Sequence, residues 1–315
     1  MDVLSEVLKK TRLRGTIYFH AAFHAPWGMH IPSGEYANFH IVTRGNCWVR
    51  SKKDEPALQL GTGDMILFPH GDPHTLSDSL RSEVINASDF MNTARRGDDD
   101  TMVFGGTGGQ RCSMICGHFE YHRECSHSLF ETLPVRIYIS ANNSTQTNWF
   151  STASELAAQL SNSNQAGKDV AIDRLAESLF VQALAEHIDR SNDSAGFLAA
   201  LHDRHIGRAL RAMHDAITHN WTLAELSDIA AMSRTVFARR FHQLVGESPI
   251  VYLARWRMLK AYELLSDSDM PISEISSQVG YQSEFAFSRA FKKLTGQTPG
   301  SVRSSAGDEP GYQEG

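Results

Sequence analysis

Cysteine is scarce in this chain, four in 315 residues, which excludes the disulfide framework on which small secreted domains depend. No stretch of about 18 consecutive apolar residues occurs, so no membrane-spanning helix is expected. The opening Met1-Asp2-Val3-Leu4-Ser5-Glu6-Val7-Leu8-Lys9-Lys10 lacks a basic start followed by an apolar core, so it does not read as a secretory signal. Its apolar spacing suggests a short helix instead. A cytoplasmic protein with no membrane partner is expected. An excess of basic charge is also missing, the formal net charge being −6.

That total hides an uneven distribution. Residues 204–303 hold 13 Lys+Arg against 9 Asp+Glu, whereas residues 1–203 hold 17 against 24. So modest a basic excess predicts few phosphate contacts, and modest nucleic-acid affinity unless two chains act together. The length accommodates two domains and a connecting module.

The most informative stretch lies near the C-terminus. Val279 to Pro299 reads V-G-Y-Q-S-E-F-A-F-S-R-A-F-K-K-L-T-G-Q-T-P: the end of one short helix, a turn and a second helix. Gly280 tolerates the positive φ of a tight turn, and Ser283 offers an N-cap hydroxyl. Phe287, Ala290, Phe291 and Leu294 fall on one side at helical spacing; Glu284, Ser288, Arg289 and Lys292 fall on the other. Upstream, Pro271 suits a first helical position, and Ile272, Ile275 and Val279 share a face.

The device recurs. Thr222 and Glu225 are spaced as a capping box, Ala231 and Met232 make a turn, and Ser233 caps a helix from Arg234 to Leu244. In it Phe237, Phe241 and Leu244 face inward, while Arg234, Thr235, Ala238 and Arg239 face outward. F-H-Q-L-V-G-E-S-P from Phe241 and F-K-K-L-T-G-Q-T-P from Phe291 close the two units fifty residues apart, as in a duplicated supersecondary unit. Between them, Pro249 to Leu265 reads as one long helix and a rigid spacer, with Tyr252, Trp256, Leu259 and Tyr262 at helical spacing.

Residues Arg204 to Arg303 resemble the DNA-binding domain of the AraC/XylS family, and G-Y-Q-S-E-F-A-F-S-R-A-F-K-K-L-T-G-Q-T-P is the most specific part of the likeness. The resemblance implies two helix-turn-helix units reading successive major-groove segments on one side of double-stranded promoter DNA. It implies DNA contacts from Ser233, Arg234, Thr235, Ala238 and Arg239 in the first unit. In the second it implies Ser283, Glu284, Phe285, Ser288 and Arg289. Glu284 departs in charge; it either accepts from a cytosine amino group or repels wrong sites. Phe285 either touches thymine methyls or is packed.

Residues 15–140 read as β structure. Ile17-Tyr18-Phe19, Ala37 to Val42, Cys47 to Arg50, Met65 to Phe68 and Arg136 to Ile139 are short apolar runs punctuated by Gly, Pro and Asp, which suggests a barrel or sandwich. Gly63-Asp64-Met65-Ile66-Leu67-Phe68-Pro69-His70-Gly71-Asp72-Pro73-His74 is similar to the second cupin motif. Phe39 to Gly45 resembles the end of the first, without the usual H-x-H upstream and with Asn38 where an acid is expected. The likeness implies a sensor barrel enclosing a small-molecule effector, with Trp27, His30, His40 and His74 as candidate lining residues. Cys112, Cys116, His118, His122, Cys125 and His127 form a further cluster. Packing of small apolar thiols, redox sensing and metal ligation are its three readings. Residues 92–110 read as a glycine-rich, charged loop.

From Asn148 the period becomes helical. Trp149 to Leu160 and Asp169 to Ile188 read as helices, the second with an apolar surface (Ile172, Leu175, Leu179, Val181, Leu184, Ile188) wide enough for a partner subunit. Packing against the β domain is the alternative. Arg204 to His219 opens the last domain with Ile206, Leu210, Met213 and Ile217 inward.

The expectation is an α+β chain. A cupin-like β-barrel spans 1–147, a helical linker and dimerisation segment 148–200, an all-α double helix-turn-helix domain 201–303 and a disordered tail 304–315. The whole resembles bacterial AraC-family regulators with an N-terminal cupin. That implies a homodimeric activator, RNA polymerase as a partner, an effector and no resident cofactor. A metal-dependent cupin enzyme coupled to DNA binding is the second reading. A thiol acceptor of DNA repair is a third, without a recognisable acceptor motif.

Overall fold

A computed structural model describes residues 3–10, 14–51, 56–96, 102–105, 109–120, 128–141, 152–153, 155–157, 159–160, 163, 165–190 and 196–307. The chain divides into two compact units that interleave in sequence. One takes its described residues from 14–120 and 133–190, the other from 3–10, 128–132 and 196–307.

The first unit holds β1 (Arg14–His24), β2 (Gly28–Ile31), β3 (Ala37–Arg44), β4 (Asn46–Arg50), β5 (Leu58–Gly61) and β6 (Met65–Phe68). It continues with β7 (His74–Ser77), β8 (Ile85–Asn86), β9 (Arg95–Arg96), β10 (Met102–Gly105), β11 (Arg111–Glu120) and β12 (Ile137–Ile139). A short helix, α2 (Ala87–Asn92), precedes β9. The strands form a seven-stranded sheet, β12-β6-β3-β11-β1-β10-β9, and a five-stranded sheet, β5-β4-β7-β2-β8. The expected barrel is thus two separate sheets over one core. Phe23, Val42, Ile66, Phe68 and Met114 come from the larger sheet; Met29, Cys47, Val49, Leu60 and Leu76 come from the smaller. Residues 92–110, expected to be loop, contribute β9 and β10, because β10 gains a parallel partner in β1 from Ala21 to His24.

β10 pairs only the last part of β1, so the start of β1 would be an open edge. The helix α4 (Lys168–Arg190) covers it. Its Asp173 and Glu177 carboxylates accept from the backbone N–H of Ile17 and Gly15, both at 3.3 Å. Phe180 meets Phe119 at 4.7 Å, and Phe119 stacks on Phe39 at 4.6 Å. Ile172, Ala176, Leu179, Phe180, Ala183 and Leu184 are buried, leaving Val170 and Val181 exposed. The apolar surface read from sequence as a dimer face is largely consumed within the chain. Trp149 lies outside the described residues.

The second unit is helical: α1 (Val3–Lys10), α3 (Ser128–Glu131), α5 (Phe197–His202), α6 (Ile206–Asp215), α7 (Leu223–Ile229), α8 (Arg234–Val245), α9 (Pro249–Asp267), α10 (Ile272–Gln278), α11 (Glu284–Thr295) and α12 (Pro299–Gly307). α1 packs on α6 and α9 through a buried Val3, Val7 and Leu8. Residues 304–307 prolong α12 instead of opening a disordered tail. Among the described residues no helix is long and apolar enough to cross a membrane.

Candidate nucleic-acid interface and sensor cluster

α9 is shared by both helix-turn-helix units. Near its start Tyr252 meets Phe197 at 5.9 Å and Phe241 at 5.8 Å, and its hydroxyl lies 2.7 Å from His214 Nε2. Trp256 stacks on His214 at 4.0 Å. Further on, Met258, Ala261 and Leu265 pack with Ile275, Val279, Phe287, Phe291 and Val302. At about 1.5 Å per residue its 19 residues span about 28 Å, so one helix carries α7–α8 near one end and α10–α11 near the other.

The two units share a turn but differ in their caps. Thr222 and Glu225 form the expected capping box at the start of α7. Ser283 caps α11 by accepting from Ala286 N–H at 3.2 Å. Ser233, expected to do the same for α8, occupies the N-cap with extended backbone but makes no side-chain cap bond. In the turns, Met232 N–H bonds to Ser227 O and Tyr281 N–H to Ser276 O. Gly280 therefore corresponds to Ala231, and both have positive φ, +82° and +52°. One residue fewer separates Ala231 from Ser233 than separates Gly280 from Ser283, which gives Ser233 a different approach to its helix.

Behind the outer faces of α8 and α11 a phenylalanine pair is fully buried, Phe237 with Phe241 and Phe287 with Phe291. The outer faces are accessible. Ser233, Arg234, Thr235 and Arg239 are exposed on α8 with Ala238 half-buried; Ser283, Glu284, Phe285 and Arg289 are exposed at α11 with Ser288 half-buried. Phe285 is 79% exposed, which removes the reading that it is packed. Neither Arg239 nor Arg289 forms an ion pair among the described residues. Arg240, one residue on, is tied back to Asp203, and Asp203 accepts from His205 and Ile206 N–H at the start of α6. Two arginines escaped the sequence reading, Arg240 and Arg257 of α9. Their partners are distant or backbone groups, and spacing carries no signal of those.

In the sheet unit the structure brings His40 and His74 together, Nε2 to Nε2, at 2.8 Å, and sets Cys116 Sγ 3.1 Å from His40 Nδ1. His74 Nδ1 lies 2.9 Å from Asp72 O. A carbonyl only accepts, so His74 Nδ1 carries a proton and its Nε2 is bare. His40 Nε2–H donates to it, and His40 Nδ1 accepts the Cys116 thiol. Burial holds both imidazoles neutral, His74 down to about 4 and His40 well below its ordinary range, the latter helped by His74. Burial also pushes the Cys116 thiol up, so it resists forming the reactive thiolate.

The other predicted sensor residues do not join this chain. Trp27 stacks on Phe23 at 4.4 Å, and its indole N–H meets no acceptor among the described residues. His30 Nδ1 is 3.5 Å from Thr75 Oγ1. His118 bonds to Glu120 at 2.9 Å and stacks on Tyr36 at 4.4 Å. Cys112 is packed in the inter-sheet core, and Cys125 lies outside the described residues. Cys116 and His74 occupy different nitrogens of His40, so the three do not converge. Among the described residues no group of three His, Cys, Asp or Glu could hold a metal ion.

Comparison with known proteins agrees with both halves. Residues 2–189 match the family described as Cupin and residues 226–305 that described as Helix-turn-helix domain. The HTH-type transcriptional regulator AlkR of Acinetobacter baylyi is 29% identical over 309 residues, covering 97% of this chain and 100% of that one. An AraC-like transcription regulator of Streptomyces antibioticus is 30% identical over 313 residues, covering 96% and 98%. Among solved structures, the DNA-binding domain of the global transcriptional factor AdpA in complex with a target DNA is 28% identical, with a TM-score of 0.31, covering 31% of this chain and 89% of that one. Matched over more than half its length by the cupin family and over nearly all of it by an AraC-like relative, the chain belongs to the AraC-family DNA-binding transcription regulators that carry an N-terminal cupin domain.

Proposed function

We propose that α8 and α11 enter two successive major-groove segments of promoter DNA, and that the cupin domain tunes this binding in response to a small-molecule effector. The observation that carries the reading is the pair of phenylalanine-backed helices fifty residues apart, each presenting an accessible polar face from one connector. Arg239 and Arg289 are the donors suited to guanine edges or phosphates, and Phe285 offers an apolar surface to thymine methyls. The burial of Cys112 and Cys116 favours a bound effector over a thiol-reactive signal. An effector works by binding the DNA-competent arrangement more tightly than the other. Activation through RNA polymerase, as a homodimer, is the mode that fits the family. A metal enzyme has no converging ligand set to support it among the described residues.

The test is affinity for a selected duplex. Arg239→Ala and Arg289→Ala should each weaken binding by about 1–3 kcal/mol if the side chain grips a base, with relaxed preference at one position. Unchanged affinity for both would remove α8 and α11 from the groove.

A further inference from the structure

The loop before α7, the connector α9 and the turn between α10 and α11 meet at one side chain. Arg257 of α9 donates from Nε to Ile217 O and from Nη2 to His219 O, both at 2.9 Å. Its guanidinium carbon lies 5.8 Å from the centre of the Tyr281 ring, within cation–π range. The backbones close up around it. A Cβ added to Gly280 would stand 2.8 Å from Arg257 Nη2 and 2.9 Å from Thr218 Cα. Residue 280 therefore has two independent reasons to be glycine, its φ of +82° and this close approach. The first unit's entry loop abuts the second unit's turn directly, so α9 is not their only tie.

This contact bears on DNA reading through phase. One base pair of extra separation turns the second segment by about 35° and moves it by about 3.4 Å. A connector free to twist or bend at its ends would follow such a change; a braced one would not. We propose that Arg257 is a positioning residue, locking the two helix-turn-helix units at one phase so that the protein accepts a single spacing between its two DNA segments. This rests on the reading that α8 and α11 both enter the groove. Arginine suits the role because its planar fork reaches two carbonyls while its face covers an aromatic ring, which a lysine ammonium cannot do at once.

Full-length protein is used to select duplexes from a random pool, and the separation of the enriched boxes is read from the selected sites. The wild type should enrich two boxes at one separation and lose about tenfold or more in affinity when one base pair is inserted between them. Folded Arg257→Ala and Arg257→Lys should bind the original site severalfold more weakly. They should lose only about twofold more on insertion and enrich a spread of separations. If Arg257→Ala does not fold, Arg257→Lys and Tyr281→Leu carry the test, since each removes part of the junction and leaves the packing of α9. A folded variant as strict about separation as the wild type overturns the role of Arg257 while leaving two-segment reading intact. Enrichment of a single box by the wild type overturns both.

Discussion

His40 has two ring nitrogens, and the fold commits both. One takes the Cys116 thiol and the other donates to His74, so β11, β3 and β7 are linked across the two sheets by uncharged hydrogen bonds. Folding holds His74 at about 4, against about 6.5 unfolded. Between those values the unfolded chain binds more protons, so stability rises with pH and is lost as pH falls from about 6.5 towards 4. His74 alone contributes up to roughly 3 kcal/mol of this loss, and His40 adds in the same direction. Denaturant unfolding of the sheet unit at pH 7 and pH 5 should show the drop, and His74→Gln should flatten it. An equally steep pH dependence in the variant would show that the histidine chain is not its source. The histidines were individually visible in the sequence as lining candidates. Their union was not, because His40, His74 and Cys116 are separated by 34 and 42 residues and only strand register sets them side by side.

The helix-turn-helix elements were the most legible part, for a local reason. Capping, turn and amphipathic period lie within about twenty residues, so chemistry and conformation are read from the same short window. The exception is instructive. Ala231 takes the left-handed conformation that Gly280 takes in the second unit, at a cost of about 1–2 kcal/mol for an L-residue. Ala231→Gly should stabilise the helical unit by about 0.5–1 kcal/mol after the extra freedom of glycine in the unfolded chain is subtracted. Chemical denaturation followed by the helical signal checks this, and a destabilised variant would mean that the Ala231 methyl makes a compensating contact. Strands were less legible. β10 fell in a stretch read as loop, since its conformation is dictated by pairing with β1 some eighty residues earlier. α4 offered a wide apolar surface but no indication of what covers it; the sheet covers most of it, with Phe180 against Phe119.

For the molecule as a whole, the compact units do not follow the linear order of the chain. α1 precedes β1 in sequence yet packs with α6 and α9. Val7 in it is fully buried. Val7→Asp would bury an unpaired carboxylate and should cost at least about 3 kcal/mol. Hydrogen exchange should then lose protection in α6 and α9 while β1 and β11 keep theirs, and the reverse pattern would assign α1 to the sheet unit. The sequence by itself determined the double helix-turn-helix, which faces of its helices are buried and which exposed, and the change from β to helical period, because each rests on contacts between near neighbours. Only the tertiary structure decided which histidines share a proton chain, where the apolar side of α4 goes and that Arg257 joins the loop before α7 to Tyr281, because those partners are distant in the chain and close only once it has folded.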